Sequence, residues 1–498
     1  MNSHLIPLRS SNLQELSTWA TVPQYDRSGL LPGIVHIGAG GFNRSHLAVY
    51  LDDLLGRGEP ARWAECGIGL LPQDVRIHAA LADQDHLYSL LIRDAEQKRL
   101  RIVGSIMEHI YAPDDRELVI ERMSSPECSI VSLTVTEGGY FIDDGSGAFT
   151  DQHPDIQFDL AHPMGPRTFL GYLAESANRR MKSGIKPFTI MSCDNVECNG
   201  VAARKALLSF AEMRDPGLRK WIERNVSFPN SMVDRITPGT TDADREYIGT
   251  HFGISDLCPV VAEPFRQWVI EDAFCNSRPQ WELAGAQLTA DVRPFEIIKM
   301  RLLNGGHSAI AYLSALLGHV FVSHAVDDAL IRELLDRFLE EVTCTLPQAP
   351  GMDLAQYKLS IVHRFSNPAM RDQISRVCSE GSAKIAKFIV PTVRDLLSMS
   401  KDPQILPFVI AGWLYSMRGI DEEGRATQIV DSSAGLFADF VRSGCRDERA
   451  AFAVRSVFAD LGTEDNPFVS KVKQCLDSLH SSGAREAIRR VADSRSVS

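Results

Sequence analysis

The sequence predicts an α/β protein, with a parallel sheet covered by helices in the first part of the chain and a mainly α-helical second domain. The chain has 498 residues, which is too long for one hydrophobic core. Short β-branched runs alternate with helical patterns in the first half, as in parallel sheets covered on both faces. In the second half, apolar residues recur every three and four positions, which is the helical period.

The candidate elements follow one another in strand–helix order. Six apolar runs are candidate strands: residues 34–37, 66–71, 101–106, 129–136, 188–191 and 260–261. Four segments between them have a helical pattern: residues 44–55, 116–123, 167–183 and 200–213. The pattern changes near residues 279–294, so we predict one domain over residues 1–286 and a helical domain over residues 287–498.

Composition and charge narrow the class of protein. The formal net charge is -12 and no basic stripe alternates with aromatic residues, which argues against a nucleic-acid partner. The ten cysteines are scattered and form no C-x-x-C pair, which is typical of free thiols in a reducing compartment. The N-terminus has no signal-peptide pattern, and the longest apolar stretch, residues 310–322, is too broken to span a membrane. We therefore expect a cytoplasmic protein without a membrane partner.

A glycine turn directly follows the first candidate strand. It comprises Gly38, Ala39, Gly40, Gly41 and Phe42. A strand that leads through such a turn into a helix can place backbone N–H groups against the pyrophosphate of a dinucleotide. Asn43 stands where the usual fingerprint has its third glycine, and an ordinary turn of an α/β fold is the other interpretation. The position after the first strand favours the cofactor interpretation.

The second candidate strand is followed by an acidic residue, Asp74. A carboxylate at the end of this strand can bind the ribose hydroxyls and repel a 2′-phosphate, which favours NAD over NADP. The other interpretation is a solvated loop aspartate. Arg76 is close enough in sequence to pair with a phosphate, which would weaken the selection of NAD.

Three polar residues stand close together at the start of the second domain: Lys299, Asn304 and His307. On an α-helix at about 100° per residue they fall within an arc of roughly 140°. A lysine removed from water can act as a general base near neutral pH, and an asparagine amide can donate to a developing oxyanion. A helix start with an exposed lysine and a capping asparagine explains the same residues equally well.

Other segments favour the catalytic interpretation. Asn195 follows the strand at 188–191, at the end of the sheet where open α/β folds bind ligands. No tyrosine has a lysine four residues later, so the short-chain dehydrogenase pair is absent from the sequence. The cysteines and histidines form no convincing zinc set, and we expect no metal. Lysine is the base that remains.

Seven segments in order resemble one family, the polyol-specific long-chain dehydrogenases, and among them most closely the mannitol 2-dehydrogenases. The segments are GIVHIGAGGFNRSH at 33–46, VSLTVTEGGY at 131–140, MSCDN at 191–195, FPNSMVDRITPGTT at 228–241, PVVAEPFRQWVIED at 259–272, KMRLLNGGHSAIAYL at 299–313 and FSNPAMRDQISRVCSEGSAK at 365–384. The resemblance implies a Rossmann-type N-terminal domain, a mainly α-helical C-terminal domain, NAD(H) or NADP(H) as cofactor, and a monomer. It implies metal-independent oxidation of a sugar alcohol to a ketose, with D-mannitol to D-fructose as the expected reaction.

The resemblance also assigns roles. It implies that Lys299 is the general base, that Asn195 and Asn304 bind the oxyanion, and that His307 positions the substrate. Glu296 would exchange protons with solvent, and Asp74 would select NAD. The remaining implied roles are the binding of further substrate hydroxyls, by Asp234, Arg376 and Lys384.

Some alternatives stay open at this stage. Gln73 stands where the family commonly has a second acid, and Ala386 where it usually has proline. Sorbitol and D-arabinitol are rival substrates, and a hexuronate such as fructuronate or tagaturonate is another, because Arg376 and Lys384 could bind its carboxylate. A regulator that binds NAD without turnover is the rival from another class; it would not need Lys299, Asn195 and Asn304 together.

Overall fold

The computed structural model describes residues 5–143, 147–427, 429–462 and 466–493. The chain forms two compact units, Met1–Arg293 (unit 1) and Pro294–Ser498 (unit 2). The domain limits expected from the sequence, 1–286 and 287–498, stay a prediction. No helix of the described ranges is both long and apolar enough to cross a membrane.

Unit 1 contains the strands of the described chain. They are β1 (Ile6–Pro7), β2 (Ile34–Ile37), β3 (Glu65–Gly69), β4 (Tyr88–Arg93), β5 (Lys98–Val103), β6 (Ile106–Tyr111), β7 (Ile130–Leu133), β8 (Thr189–Ser192), β9 (Ser231–Asp234), β10 (Ile254–Ser255), β11 (Val260–Ala262), β12 (Gln267–Glu271) and β13 (Gln287–Thr289). Its helices are α1 (Leu13–Leu16), α2 (Gly41–Ser45), α3 (Leu47–Gly56), α4 (Asp74–Asp83), α5 (Arg116–Ser124), α6 (Pro154–Ala161), α7 (Phe169–Ser183), α8 (Asn199–Arg214), α9 (Pro216–Asn225) and α10 (Asp242–Phe252).

The central sheet of unit 1 has five parallel strands in the order β6-β3-β2-β7-β8. In chain order these are strands 3-2-1-4-5, the arrangement of the Rossmann fold. The Rossmann-type prediction is therefore confirmed. The strand order reverses between β2 and β7, and ligands of open α/β sheets bind beyond the carboxyl ends of the strands at such a point.

Both faces of this sheet are buried. One face packs against α5, α7, α8 and α9 through a core that includes Val35, Val131 and Ile190. The other face packs against α3 and a smaller sheet, β13-β12-β9. Trp268 of β12 and Trp281, which lies before β13, are fully buried there. The remaining strands form the sheet β11-β4-β5 and the short pair β1-β10.

Local sequence signals explain where the covering helices begin and end. Helix α7 starts after Thr168, whose hydroxyl accepts a hydrogen bond from the Gly171 N–H at 3.2 Å. It ends at Gly184, which has a φ of +65° and so closes the helix in the left-handed conformation that glycine tolerates.

The regular secondary structure of unit 2 is helical among its described residues, and loops connect the helices. Its helices are α11 (Arg293–Ile298, beginning at the last residue of unit 1), α12 (Gly305–Leu316), α13 (Val322–Asp327), α14 (Ala329–Thr343), α15 (Leu354–Phe365), α16 (Ile374–Cys378), α17 (Gly381–Lys384), α18 (Val390–Ser398), α19 (Leu406–Ser416), α20 (Ala438–Arg442), α21 (Glu448–Phe452), α22 (Arg455–Phe458) and α23 (Pro467–Asp493). Two π-helical turns, Lys299–Asn304 and Ile385–Ile389, interrupt the α-helices. The mainly α-helical prediction for this part of the chain is confirmed.

Arg180, a buried residue of α7, forms hydrogen bonds with the segment that precedes β7. The guanidinium of Arg180 is fully buried and donates to the backbone oxygens of Met123, Ser125, Cys128 and Lys186. Four carbonyl groups would each lose a hydrogen bond if this side chain were removed, although that of Ser125 would still accept from the Cys128 N–H. Each buried carbonyl left without a partner is destabilising by about 1–3 kcal/mol.

We expect Arg180→Leu to lower the melting temperature of unit 1 by about 10 °C, since a loss of roughly 3–5 kcal/mol shifts a transition of this size by that amount. Differential scanning calorimetry measures the shift. Arg245→Leu is the control, because Arg245 is on the surface and pairs with a fully exposed carboxylate, Asp242. A shift as small as that of the control would contradict the role given to Arg180.

Candidate functional site

A cavity of about 680 Å³ opens at the point of unit 1 where the strand order reverses. Its walls come from the residues that follow β2, β3, β6 and β7. They are joined by the start of α5 and by residues 166–172. The carboxyl ends of four neighbouring strands thus meet at one concave site, where the fold is expected to bind a ligand.

The glycine turn forms part of the wall. Gly38 and Gly40 line the cavity, whereas Ala39 is buried and the ring of Phe42 stacks on His46 with centroids 5.0 Å apart. Gly38 has a φ of +92°, and a Cβ at this position would lie 2.1 Å from the Thr134 backbone oxygen. Only glycine can therefore bring the turn this close to β7.

A chain of hydrogen bonds holds the turn against the sheet. The Thr134 hydroxyl donates to the Gly38 backbone oxygen at 2.7 Å, and it lies 2.8 Å from His36 Nε2. Because that hydroxyl already donates its proton, His36 Nε2 must carry hydrogen, and Nδ1 accepts from the Ser132 hydroxyl at 2.8 Å. Burial lowers the pKa of His36 to about 3, so the ring is neutral.

The predicted ribose-binding acid lies in the same cavity. Asp74 is the first residue of α4, and its Oδ2 accepts from the Leu71 N–H at 2.9 Å. Gly69 makes this placement feasible, because a Cβ there would lie 2.6 Å from the Asp74 Cβ. Two guanidinium groups that the sequence interpretation missed, Arg116 and Arg167, also line the cavity. Their only sequence signal is a basic residue at the start of α5 or just before α7.

The segment after β8 carries Asn195 and is tied to its neighbours by Asp194. The Asp194 carboxylate accepts from the N–H groups of Val135 and Thr136 at 3.2 and 2.8 Å, and from the Tyr140 hydroxyl at 2.6 Å. Thr136 has a φ of +67° and a ψ of 167°, a conformation that only glycine adopts easily. Asp194 therefore holds a strained residue that lines the cavity.

Asn195 and Asp234 lie on two segments of unit 1 that hydrogen bonds connect. Asn199 Nδ2 donates to the Asp194 backbone oxygen at 3.0 Å and to that of Ser231 at 2.8 Å, which joins the Asn195 segment to the start of β9. Asp234 is the buried last residue of β9, and Asn195 is exposed.

In unit 2, the segment that contains Lys299 and Asn304 differs from the predicted α-helix. Residues 299–304 form a π-helical turn, in which the Gly305 N–H is bonded to the Met300 carbonyl five residues earlier. Such a turn brings residues five apart, here Lys299 and Asn304, closer to one face than an α-helix does, and it is frequent at functional sites. Lys299 is buried, as is Glu296 one turn earlier on α11.

His307, Arg376 and Lys384 gather around an aspartate that the sequence interpretation missed, Asp372. Arg376 donates from Nη2 and Nε to Asp372 Oδ1 at 2.6 and 2.9 Å, and His307 Nε2 lies 3.9 Å from Asp372 Oδ2. The spacing of four residues between Asp372 and Arg376 was the available signal, because residues at that spacing face each other on a helical turn.

Burial determines the protonation of His307 and lowers the pKa of Lys384, two members of the cluster formed with Arg376 and Asp372. The His307 ring stacks on Phe365, with centroids 3.9 Å apart, and burial lowers the pKa of His307 to about 4. Lys384 Nζ donates to the Val377 backbone oxygen at 2.7 Å. Burial, followed by the charge of Arg376, lowers the pKa of Lys384. The cluster therefore combines a neutral histidine with cations and one carboxylate.

Among the described residues, no three His, Cys, Asp or Glu side chains are grouped as metal ligands. Metal independence stays a prediction, as do the roles of the individual site residues.

Known proteins resemble this chain along nearly its whole length. The family model described as the mannitol dehydrogenase Rossmann domain matches residues 32–283, and the mannitol dehydrogenase C-terminal domain matches residues 291–480. A mannitol dehydrogenase of Saccharomyces cerevisiae is 40% identical over 489 residues, which cover 98% of this chain and 97% of the yeast protein. A mannitol 2-dehydrogenase of Aspergillus fumigatus is 40% identical over 494 residues, covering 97% of this chain and 98% of its own.

Two solved structures are similar in both sequence and fold. The Pseudomonas fluorescens mannitol 2-dehydrogenase, in a ternary complex with NAD and D-mannitol, is 41% identical with a TM-score of 0.87 and covers 98% of this chain and 99% of its own. A D-sorbitol dehydrogenase in substrate-free form is 36% identical with a TM-score of 0.91, covering 97% and 100%.

The neutral His36 makes a testable contribution to the pH dependence of stability. The ordinary pKa of histidine, 6.5, applies to the unfolded chain, whereas the pKa of His36 is about 3 in the folded protein. Between about pH 3 and pH 6.5 the unfolded chain therefore binds a proton at His36 that the folded chain does not. The contribution of His36 to the stability of the wild type therefore falls as the pH drops below about 6.5. We expect the stability difference between wild type and His36→Gln to shrink by about 2 kcal/mol between pH 7 and pH 5.

Denaturant unfolding of both proteins at the two pH values measures this change. His251→Gln is the matched control, since His251 is an exposed histidine of α10. A difference between wild type and His36→Gln that does not depend on pH would show that His36 is not held neutral.

Proposed function

This chain belongs to the mannitol dehydrogenase family, and on that basis we propose that it oxidises a sugar alcohol to the ketose with NAD⁺, with D-mannitol to D-fructose as its principal reaction. The observation that carries the proposal is the likeness, over nearly the whole of both chains, to a mannitol 2-dehydrogenase solved with NAD and D-mannitol. The cavity beside the glycine turn supports it independently.

The cavity suits a dinucleotide. Gly40 has nothing within 3.7 Å of where a Cβ would stand, so the backbone is open to close approach by phosphates. Arg116 and Arg167 add positive charge to the same walls. The Asp74 carboxylate can accept hydrogen bonds from ribose hydroxyls and would repel a 2′-phosphate, which favours NAD. When bound, NAD⁺ supplies the hydride acceptor.

The chemistry of the chain's own residues fits alcohol oxidation. We assign to Lys299 the acceptance of the hydroxyl proton, for which its amine must be neutral when substrate binds. The amides of Asn304 and Asn195 donate hydrogen bonds to the oxygen as charge develops on it. Glu296, one turn before Lys299 on the chain, passes the proton on toward water.

The hydroxyl-rich remainder of the substrate needs donors and acceptors. Asp234 supplies a carboxylate acceptor, and Arg376, Lys384 and His307 supply N–H groups. The Asn304 Oδ1 and His307 Nε2 atoms are buried without a hydrogen-bond partner in the described structure. Buried polar atoms without a hydrogen-bond partner are destabilising unless a ligand or a water molecule supplies one. These two atoms therefore support the binding of a polar ligand at this place in unit 2.

D-sorbitol is the second candidate substrate, because the D-sorbitol dehydrogenase structure also matches nearly the whole chain. We further propose that the protein acts as a monomer in the cytoplasm and without a metal. The ten cysteines are free thiols, which agrees with a reducing compartment.

A substrate and cofactor panel tests the proposal. The purified protein is assayed with NAD⁺ and NADP⁺ against D-mannitol, D-sorbitol and D-arabinitol, and with the reduced cofactors against D-fructose and D-fructuronate, following the absorbance of the reduced cofactor. We expect the highest kcat/KM for D-mannitol with NAD⁺. A preference for D-sorbitol would support the second candidate. Binding of NAD without turnover of any substrate would support a regulator instead.

The assignment of Lys299 predicts a specific kinetic defect. Lys299→Ala should lower kcat for D-mannitol oxidation by about 10²–10⁴-fold, which is the usual contribution of a positioned base. The Kd for NADH should stay within about twofold of wild type. Steady-state kinetics and fluorescence titration of NADH measure the two quantities. Lys401→Ala is the control, since Lys401 is exposed in the same unit. Near-normal oxidation by Lys299→Ala at neutral pH would refute the assignment.

A further inference from the structure

We propose that Asp372 binds a substrate hydroxyl together with His307, and that its pairing with Arg376 adapts the site to uncharged sugar alcohols rather than to sugars that carry a carboxylate. The inference rests on the proposed function and names a substrate-binding and specificity-determining residue within unit 2.

The two oxygens of the Asp372 carboxylate have different surroundings. Oδ1 accepts from both Nε and Nη2 of Arg376, at 2.9 and 2.6 Å. Oδ2 is buried and has no hydrogen-bond partner in the described structure, and the same is true of His307 Nε2. The Asp372 side chain is 10% exposed and that of His307 17% exposed. Two polar atoms are thus withheld from water without satisfying each other.

The distance between His307 Nε2 and Asp372 Oδ2 indicates which chemical group could bind between them. His307 Nε2 and Asp372 Oδ2 are 3.9 Å apart, too far for a direct hydrogen bond. A hydroxyl oxygen at about 2.8 Å from both would form an angle of about 90° between them, which a hydroxyl tolerates. A hydroxyl is suited in chemistry as well, because it can donate to the carboxylate and accept from His307 in the neutral tautomer that carries hydrogen on Nε2.

The charges around His307 explain why Asp372 would decide the substrate class. Four charged groups act on His307: Asp372, Arg376, Arg364 and Lys384. Three of them carry basic side chains, which would attract a substrate carboxylate. Asp372 is the anion of this set; it neutralises Arg376 and places a negative oxygen where a carboxylate would otherwise bind. With Asp372 in place, the site favours a hydroxyl.

The test replaces the carboxylate with its neutral isostere. For Asp372→Asn we expect KM for D-mannitol to rise about 10–100-fold, the range for losing a hydrogen bond to a charged acceptor. The ratio of kcat/KM for D-fructuronate reduction to that for D-fructose reduction should rise at least about tenfold. The Kd for NADH should not change. Asp336→Asn is the matched control, because Asp336 forms a similar pair with Arg332 on the exposed surface, also at a spacing of four residues.

A second variant and a binding measurement make the result decisive. Asp372→Ser removes the charge with a smaller side chain and should shift the same ratio in the same direction, and thermal unfolding establishes that each variant is folded. Thermal-shift titration with D-mannitol reports binding without turnover.

Wild-type turnover of D-mannitol combined with unchanged KM and ratio in both variants would overturn the role of Asp372 and leave the proposed function intact. A wild type that binds polyol without turnover would contradict the proposed reaction, and weaker polyol binding by the variants would still support Asp372. A wild type that neither binds nor oxidises any polyol would overturn both.

Discussion

A hydrogen-bonded chain in the parallel sheet of unit 1 holds the glycine turn in the wall of the cavity where the strand order reverses. It runs from Ser132 through the His36 ring to Thr134 and on to the Gly38 carbonyl. Strands β2 and β7 are neighbours where the strand order reverses, so His36 of β2 can contact Ser132 of β7 and Thr134, which directly follows β7. Because the ring is buried, it stays neutral and keeps one N–H and one acceptor nitrogen. This arrangement fixes the tautomer, and with it the direction of each bond in the chain.

The neighbouring edge of the cavity depends on a second buried polar group. Thr136 adopts a backbone conformation that is unfavourable for a β-branched residue, and it can keep it because the Asp194 carboxylate accepts its N–H. The same carboxylate precedes Asn195 in the chain. A single side chain therefore ties the segment after β7 to the segment after β8. His36 lies in β2 and Asp194 lies two residues after β8, so both hold loops at the carboxyl end of one parallel sheet, which suits a site that must hold a ligand in a defined position.

The sequence predicted the elements that depend on local pattern and missed those that depend on tertiary contacts. The runs at 34–37 and 188–191 correspond to β2 and β8, since buried parallel strands are continuous apolar runs. The run predicted at 101–106 is divided between the end of β5 and the start of β6, because the chain passes from one sheet to another at Gly104–Ser105, which is a tertiary feature that hydrophobicity does not reveal. Strand β12 was missed, although its pairing with β9 completes the second face of the sheet.

In the candidate site too, the features that depend on local pattern could be predicted, and those that depend on tertiary contacts could not. The glycine turn and Asp74 could be found because their spacing from a strand is a local property. The π-helical turn at Lys299–Asn304 could not, because a single-sequence pattern is read at the α-helical period and Gly305 packs against Phe338, a residue far along the chain. Asp372 lies 65 residues from His307, so its role depends on how α12 and the turn before α16 pack together.

Burial without hydrogen bonding distinguishes a binding group from a structural one in unit 2. The Asp431 carboxylate accepts from the N–H and hydroxyl of Ser382 at 2.8 and 2.6 Å, so both of its oxygens are satisfied by the fold itself. The Asp372 carboxylate is satisfied on one oxygen only, although its side chain is nearly as deeply buried as a core residue. A buried carboxylate oxygen without a donor is destabilising, and the fold gains nothing from leaving it so. The imbalance is accounted for if the missing donor comes from outside the chain, and a hydroxyl between Asp372 and His307 is the group that satisfies both atoms at once.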